Sequence, residues 1–253
     1  MIELKNVSFS YKHKPCIRNV NLSFNTGAIT AVIGPNGSGK STLLKLCSRL
    51  LRCSGGEVLL EGINIFDIKP KAFAKRAAIL LQANHPPNIP AYDYVMSGRY
   101  PHKSLTDYIS KEDINIVENA MEMTGCHVFA QRPVNKLSGG ERQKVFIAMA
   151  LAQNTDIIFL DEPTTFFDIN VSFDIMNLIQ KLNEKLGKTI ILVVHDLNLA
   201  LHYSDYAVII NNGEIVIHEK TASIAENNYI SNVFGVEMKK IIDAGNEFFL
   251  FKK

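Results

Sequence analysis

The run from Ala28 to Leu51 constrains this chain more than any other stretch. Ala28 to Ile33 is apolar enough to be a buried strand, and it ends at Gly34-Pro35-Asn36-Gly37-Ser38-Gly39-Lys40-Ser41-Thr42. Lys40 to Leu51 then reads as a helix. Strand, glycine-rich turn and helix in that order match G-x-x-x-x-G-K-[ST], a P-loop, in the context that gives the pattern meaning. The glycines let backbone N–H groups turn inward on phosphate oxygens, and the helix start adds its positive end. Lys40 contributes a mobile charge and Ser41 an oxygen ligand for Mg²⁺.

The strand that carries this loop implies a parallel, buried sheet, and the rest of the chain fits one. Ile2 to Tyr11 and Ile17 to Phe24 read as half-buried strands, Glu57 to Leu60 as a strand, Pro70 to Arg76 as a short helix and Ala78 to Leu81 as a buried strand. Pro86, Pro87 and Pro90 then break the pattern. Ser110 with Asp113 makes a capping-box start, and Ile114, Val117, Met121 and Thr124 follow at helical spacing. The alternation of strand and helix resumes with Ile157 to Leu160, a helix around Ile175 to Leu186, and Thr189 to Val194. Asn211-Asn212-Gly213 marks a hairpin, and Val236 to Lys253 reads as a strand pair around Ala244-Gly245-Asn246.

Composition narrows the function classes. With 253 residues, 47% of them hydrophobic, there is ample material for a core. A formal charge of +2, mixed along the chain without long like-charge runs, gives no footprint for nucleic acid. Met1 to Tyr11 alternates polar and apolar residues, so no leader is expected, and no apolar run approaches the roughly 18 residues of a membrane span. Cys16, Cys47, Cys53 and Cys126 lack metal-ligand spacing and are expected as reduced thiols.

Two further motifs bear on chemistry. Ile157-Ile158-Phe159-Leu160-Asp161-Glu162 is an apolar strand ending in two acids, a Walker B pattern. Asp161 would hold Mg²⁺, and Glu162 would orient or deprotonate an attacking water. Leu137-Ser138-Gly139-Gly140-Glu141 matches the LSGGE signature of ABC ATPases, and with it the chain resembles that family from its first strands to about residue 220.

The resemblance implies an α/β fold, a P-loop NTPase core of ABC type with an antiparallel β subdomain and an inserted helical subdomain. Residues 1–82 and about 137–235 would form the catalytic core, about 83–136 the helical insert, and 236–253 a C-terminal strand pair. It also implies a head-to-tail homodimer binding two ATP with Mg²⁺, in which Ser138, Gly139 and Gly140 of one copy meet the nucleotide of the other. Tyr11 resembles the aromatic that stacks on adenine. Gln82 resembles the Q-loop residue that senses Mg²⁺ and water, and His195 the switch histidine. Asp168 resembles the D-loop aspartate, although Phe166 and Phe167 replace the family's small residue and leucine.

Within the family, Gly98-Arg99-Tyr100-Pro101-His102 and His195-Asp196-Leu197-Asn198-Leu199-Ala200 resemble the ATPases of iron-siderophore, haem and cobalamin importers. Such a subunit sits at the cytoplasmic face of the membrane, bound to integral permease subunits and acting indirectly with an extracytoplasmic binding protein. Arg99 and His102 also fit an ordinary solvated face. An ABC ATPase for another cargo such as amino acids, a non-transport ABC ATPase and a P-loop small-molecule kinase are the alternatives; the kinase leaves Leu137 to Glu141 and His195 unexplained.

Overall fold

The structure is a computed structural model that describes residues 1–81, 86–104, 106–243 and 246–253. The chain folds as two compact units, Met1–Asp67 together with Thr189–Lys253, and the contiguous segment Ile68–Lys188.

The first unit opens with β1 (Ile2–Tyr11) and β2 (Lys14–Ser23), an antiparallel pair whose inward positions alternate. Leu4 faces Leu22 and Val7 faces Val20, all four buried. β3 (Ile29–Ile33) follows, buried at every residue, and the glycine-rich loop connects it to α1 (Lys40–Cys47). That helix is shorter than its apolar spacing suggested. Ser48 caps it and Arg49 turns left-handed at φ 65°, with the Leu50 N–H bonded back to the Lys45 carbonyl. β4 (Gly55–Leu60) and β5 (Ile63–Asn64) complete an antiparallel sheet in the order β2-β1-β4-β5.

The second unit begins with α2 (Pro70–Ala74) and β6 (Ala77–Leu80). α3 (Ala91–Met96) runs into a 3-10 turn at Ser97–His102, and α4 (Lys111–Met123) starts at the expected Ser110–Asp113 capping box. α5 (Gly139–Ala152) leads to β7 (Ile157–Asp161), which pairs in parallel with β6. α6 (Ile169–Leu186) closes the unit. It starts six residues before the expected Ile175 because the Asp168 carboxylate accepts the Val171 N–H at 2.9 Å and caps the helix there. The β-branched Ile169 and Val171 had masked that start.

Arg99 and His102 do not form the expected solvated face: Arg99 is buried and His102 half-buried. Gly98 lets the 3-10 turn lie directly on α5, since a Cβ there would come within 2.4 Å of the Met149 carbonyl oxygen. Arg99, 5% exposed, then donates from Nε to Asp113 at 3.0 Å and from Nη1 to the Ala152 carbonyl at 2.8 Å. His102 Nε2 lies 2.8 Å from the Gln153 carbonyl. Two basic side chains thus satisfy the last carbonyls of α5, where the helix dipole is negative. Burial alone would raise the pKa of Asp113, but hydrogen bonds from Lys103, Ser110 and Arg99 outweigh it and hold the carboxyl well below the usual range.

The chain re-enters the first unit with β8 (Thr189–Val193) and α7 (Leu197–Tyr203), then β9 (Tyr206–Asn211) and β10 (Glu214–Lys220). β3 lies parallel between β8 and β9, with Ala31 beside Leu192 on one side and Ala207 on the other. β10 folds back antiparallel on β9 across the expected Asn212-Gly213 turn. Two short helices, α8 (Thr221–Glu226) and α9 (Tyr229–Phe234), lead to the antiparallel pair β11 (Glu237–Asp243) and β12 (Asn246–Lys252). Ala244 and Gly245, expected at its turn, lie outside the described residues. The expected α/β class is borne out: parallel buried strands feed helices, beside an antiparallel sheet.

Candidate functional site

In an open parallel sheet, ligands collect where the strands end, and β3 ends at Ile33, directly before Gly34. The loop that follows is built to receive an anion. Gly37 and Gly39 take φ 77° and 107°, and no side chain caps the start of α1 at Gly39. Lys40 is 5% exposed, and its ammonium donates to the carbonyls of Gly34 at 2.8 Å and Pro35 at 3.0 Å. The loop therefore carries its cation folded over its own backbone. Ser38 Oγ is buried without a hydrogen-bond partner among the described residues, an orphan of the kind a phosphate oxygen satisfies. Asn36 and Gly37 are exposed and Ser41 is half-buried at the helix start.

Tyr11 and Thr42, far apart in sequence, meet here: the tyrosine hydroxyl lies 3.4 Å from Thr42 Oγ1. The Tyr11 ring packs edge-on against Phe9 and remains 47% exposed, leaving a face for a flat ligand. Cys16, which its sequence context did not single out, donates from Sγ to the same Thr42 hydroxyl at 3.4 Å. This neighbour on β2 has no sequence signal, because only the curl of the antiparallel sheet brings it to the loop. His195 follows β8 as an exposed residue, and Asp196 caps α7 through its bonds from Asn198 and Leu199.

The second unit holds the acids and the signature. Asp161 ends β7 and is 8% exposed; Glu162 follows with φ 54°, a left-handed turn that a glutamate rarely adopts. Thr165 fastens this turn, its N–H on the Glu162 carbonyl and its hydroxyl on Glu162 Oε2 at 3.1 Å. Strain fixed by such bonds displays a carboxylate in one orientation. Ser138 caps α5: the Glu141 N–H reaches Ser138 Oγ at 3.4 Å, and the Ser138 N–H reaches Glu141 Oε2 at 2.9 Å. Those Ser138 hydrogen bonds lower the pKa of Glu141.

Ser138, Gly139 and Gly140 line a groove of about 560 Å³ together with Phe166, Phe167 and Asp168. Phe167 covers Gly139 so closely that a Cβ there would meet its ring at 2.7 Å. The phenylalanine that departs from the family's leucine is thus packed on the signature, whereas Phe166 stands 91% exposed. Gln82 lies outside the described residues. Among the described residues no three His, Cys, Asp or Glu side chains gather as a metal site. Mg²⁺, which keeps waters and phosphate oxygens in its shell, needs no such cluster.

A buried strand, a phosphate-ready glycine loop with an internal lysine and a strand-end acid pair together define a P-loop nucleotide-binding protein. Residues 17–165 match the ABC transporter family. The chain is 37% identical to the petrobactin import ATP-binding protein FpuC of Bacillus anthracis, covering 100% of this chain and 93% of that one. It is 38% identical to the ferric enterobactin transport ATP-binding protein FepC of Escherichia coli (strain K12), covering 94% and 89%. Among solved structures, the dimeric MJ0796, a bacterial ABC transporter cassette, superposes with a TM-score of 0.76 at 33% identity, over 87% of this chain and 99% of that one. The chain belongs to the ABC transporter family. The resemblance read from Leu137 to Glu141 is thereby borne out.

Proposed function

We propose that this chain is the ATP-hydrolysing subunit of an importer that takes up a metal chelate, an iron-siderophore first among them, through separate permease subunits. The observation that carries the reading is likeness along nearly the whole chain to ATP-binding proteins of petrobactin import and ferric enterobactin transport, joined to an intact phosphate loop. No helix among the described residues is long and apolar enough to cross a membrane, which fits a subunit bound at the cytoplasmic face through a permease.

In this reading Lys40 exchanges the neutral carbonyls of Gly34 and Pro35 for phosphate oxygens, a stronger charge-assisted bond. Tyr11 offers its ring to adenine, and Ser41 and Asp161 are ligands of Mg²⁺. Glu162, held by Thr165, orients the water that attacks the γ-phosphate, assisted by His195 and Gln82. Two copies close head to tail, the groove at Ser138 to Gly140 taking the γ-phosphate on the other copy; the similar cassette MJ0796 is dimeric. Closure of the pair changes which state of the permease is favoured.

Glu162→Gln is expected to keep ATP binding, stop turnover and accumulate an ATP-bound dimer, measured by phosphate release and light scattering. Hydrolysis at the parent rate would remove Glu162 from its role. Co-purification with a permease whose binding protein and iron-siderophore stimulate hydrolysis tests the transport reading; a partnerless ATPase would overturn it.

A further inference from the structure

The outer side of the phosphate loop is held by a segment that the motif does not contain. Gly213, in the turn between β9 and β10, donates its N–H to the Ser38 carbonyl at 3.0 Å, while its own carbonyl accepts the Arg18 N–H of β2 at 2.8 Å. One residue therefore links the phosphate loop to the antiparallel sheet through backbone bonds on both sides. The end of β9 closes on the loop as well: a Cβ on Gly34 would lie 2.1 Å from the Ile210 carbonyl oxygen. Gly213 is confined on its open side too, since a Cβ there would stand 2.3 Å from the Cys16 carbonyl oxygen and 2.9 Å from its carbon. With φ 81°, this place admits glycine alone.

We propose that Gly213 is a positioning residue for ATP binding: the β9–β10 turn is a strut that keeps residues 34–39 curved for phosphate. The inference rests on the reading of residues 34–42 as the phosphate cradle. Within the loop the Ser38 N–H bonds to the Pro35 carbonyl at 3.2 Å and Lys40 to the carbonyls of Gly34 and Pro35, which hold its first half; at the Ser38 carbonyl, next to Gly39 with φ 107°, the bond from Gly213 adds a hold from outside the loop. Adding a methyl group at Gly213 forces the turn away from Cys16 by most of an ångström, and the Ser38 carbonyl loses its donor. Coupling of this kind is reciprocal: if the strut favours the ATP-binding loop, bound ATP must favour the strut.

A matched control exists in the same unit. Gly62, between β4 and β5, has the same φ of 81°, but a Cβ there meets nothing within 4 Å. Gly62→Ala imposes the left-handed strain without touching the loop. ATP titration of both variants, with kcat at saturating ATP, separates positioning from general weakening. Gly213→Ala is expected to raise the Kd for ATP about tenfold or more, the cost of a misplacement near 1 Å. Gly62→Ala should leave it within about twofold, since its strain acts on stability alone. In the unsubstituted protein, ATP is expected to slow hydrogen exchange of the Gly213 amide about tenfold, and to leave Gly62 unchanged. That second measurement decides the matter if Gly213→Ala does not fold. Equal Kd values for the two variants, or Gly213 exchange indifferent to ATP, would overturn the strut while leaving the phosphate cradle intact. A parent protein that fails to bind ATP would remove cradle and strut together.

Discussion

Asp113→Ala is the most demanding perturbation of the second unit, because it strikes a buried ion pair and a helix cap at once. Asp113 and Arg99 are each 5% exposed and meet at 3.0 Å. Breaking such a pair from one side costs about 3–5 kcal/mol, mainly because the surviving charge is stranded away from water. Losing the capping box at Ser110 adds about 1 kcal/mol. The two share one carboxylate and do not add fully, so a loss of about 4 kcal/mol is expected. For a chain of this size that corresponds to a melting point lower by roughly 10 °C. Urea unfolding followed by circular dichroism, parent against variant, supplies the number. pH gives an independent check. Since the folded carboxyl has a pKa below its unfolded value, its stabilisation is complete above the ordinary carboxylate range and disappears as pH falls through the folded pKa. The gap between parent and variant should be constant above about pH 5 and narrow only below about pH 4. Arg99→Met with Asp113→Leu removes the stranded guanidinium and should recover part of the loss, while the cap at Ser110, the partner of Lys103 and the donor to the Ala152 carbonyl stay lost. A single variant within about 1 kcal/mol of the parent would show that the pair is not buried as described.

Other consequences are simpler to measure. Ser138→Ala should destabilise α5 by about 1 kcal/mol and Ser138→Gly by only a few tenths, read by thermal melting, because glycine tolerates the cap position and alanine does not. Burial pushes the Cys47 and Cys126 thiols up, so a maleimide should leave both unlabelled in the native protein while Cys53 reacts; early labelling of Cys47 would contradict its burial at the end of α1. Cys16 should react in the free protein and be protected by ATP, given its contact with Thr42, and labelling indifferent to ATP would separate β2 from the nucleotide site.

The parts of this protein that were legible in its sequence are those whose chemistry is contiguous. The glycine loop, the strand ending at Asp161 and the capped start of α5 each fall within ten residues, so the order of residue types already states the local geometry. The hairpin at Asn212-Gly213 was legible as a turn, but not its bond to Ser38, since nothing in either segment names a partner more than a hundred and fifty residues away. The Arg99 to Asp113 pair hid for a related reason: two charges in a polar stretch look alike whether they face water or each other. Helix ends misled where competing signals overlapped, as at Asp168, where a cap sits directly before β-branched residues. The Phe167 substitution was visible as a departure, yet its sense, a ring laid on Gly139, required the packed groove.

The position of β3 has a consequence for the birth of the protein. Ile29-Thr30-Ala31-Val32-Ile33 is buried between β8 and β9, and both neighbours are encoded after residue 188. At about 5–20 residues per second, a ribosome leaves this segment without either neighbour for roughly 8 to 30 seconds. During that interval it is a short, uncharged, β-prone strand with both edges open, the profile of an aggregation nucleus. The liability thus belongs to the nascent chain rather than to the finished enzyme, and translation speed and early chaperone capture, more than native stability, should govern how much of it folds.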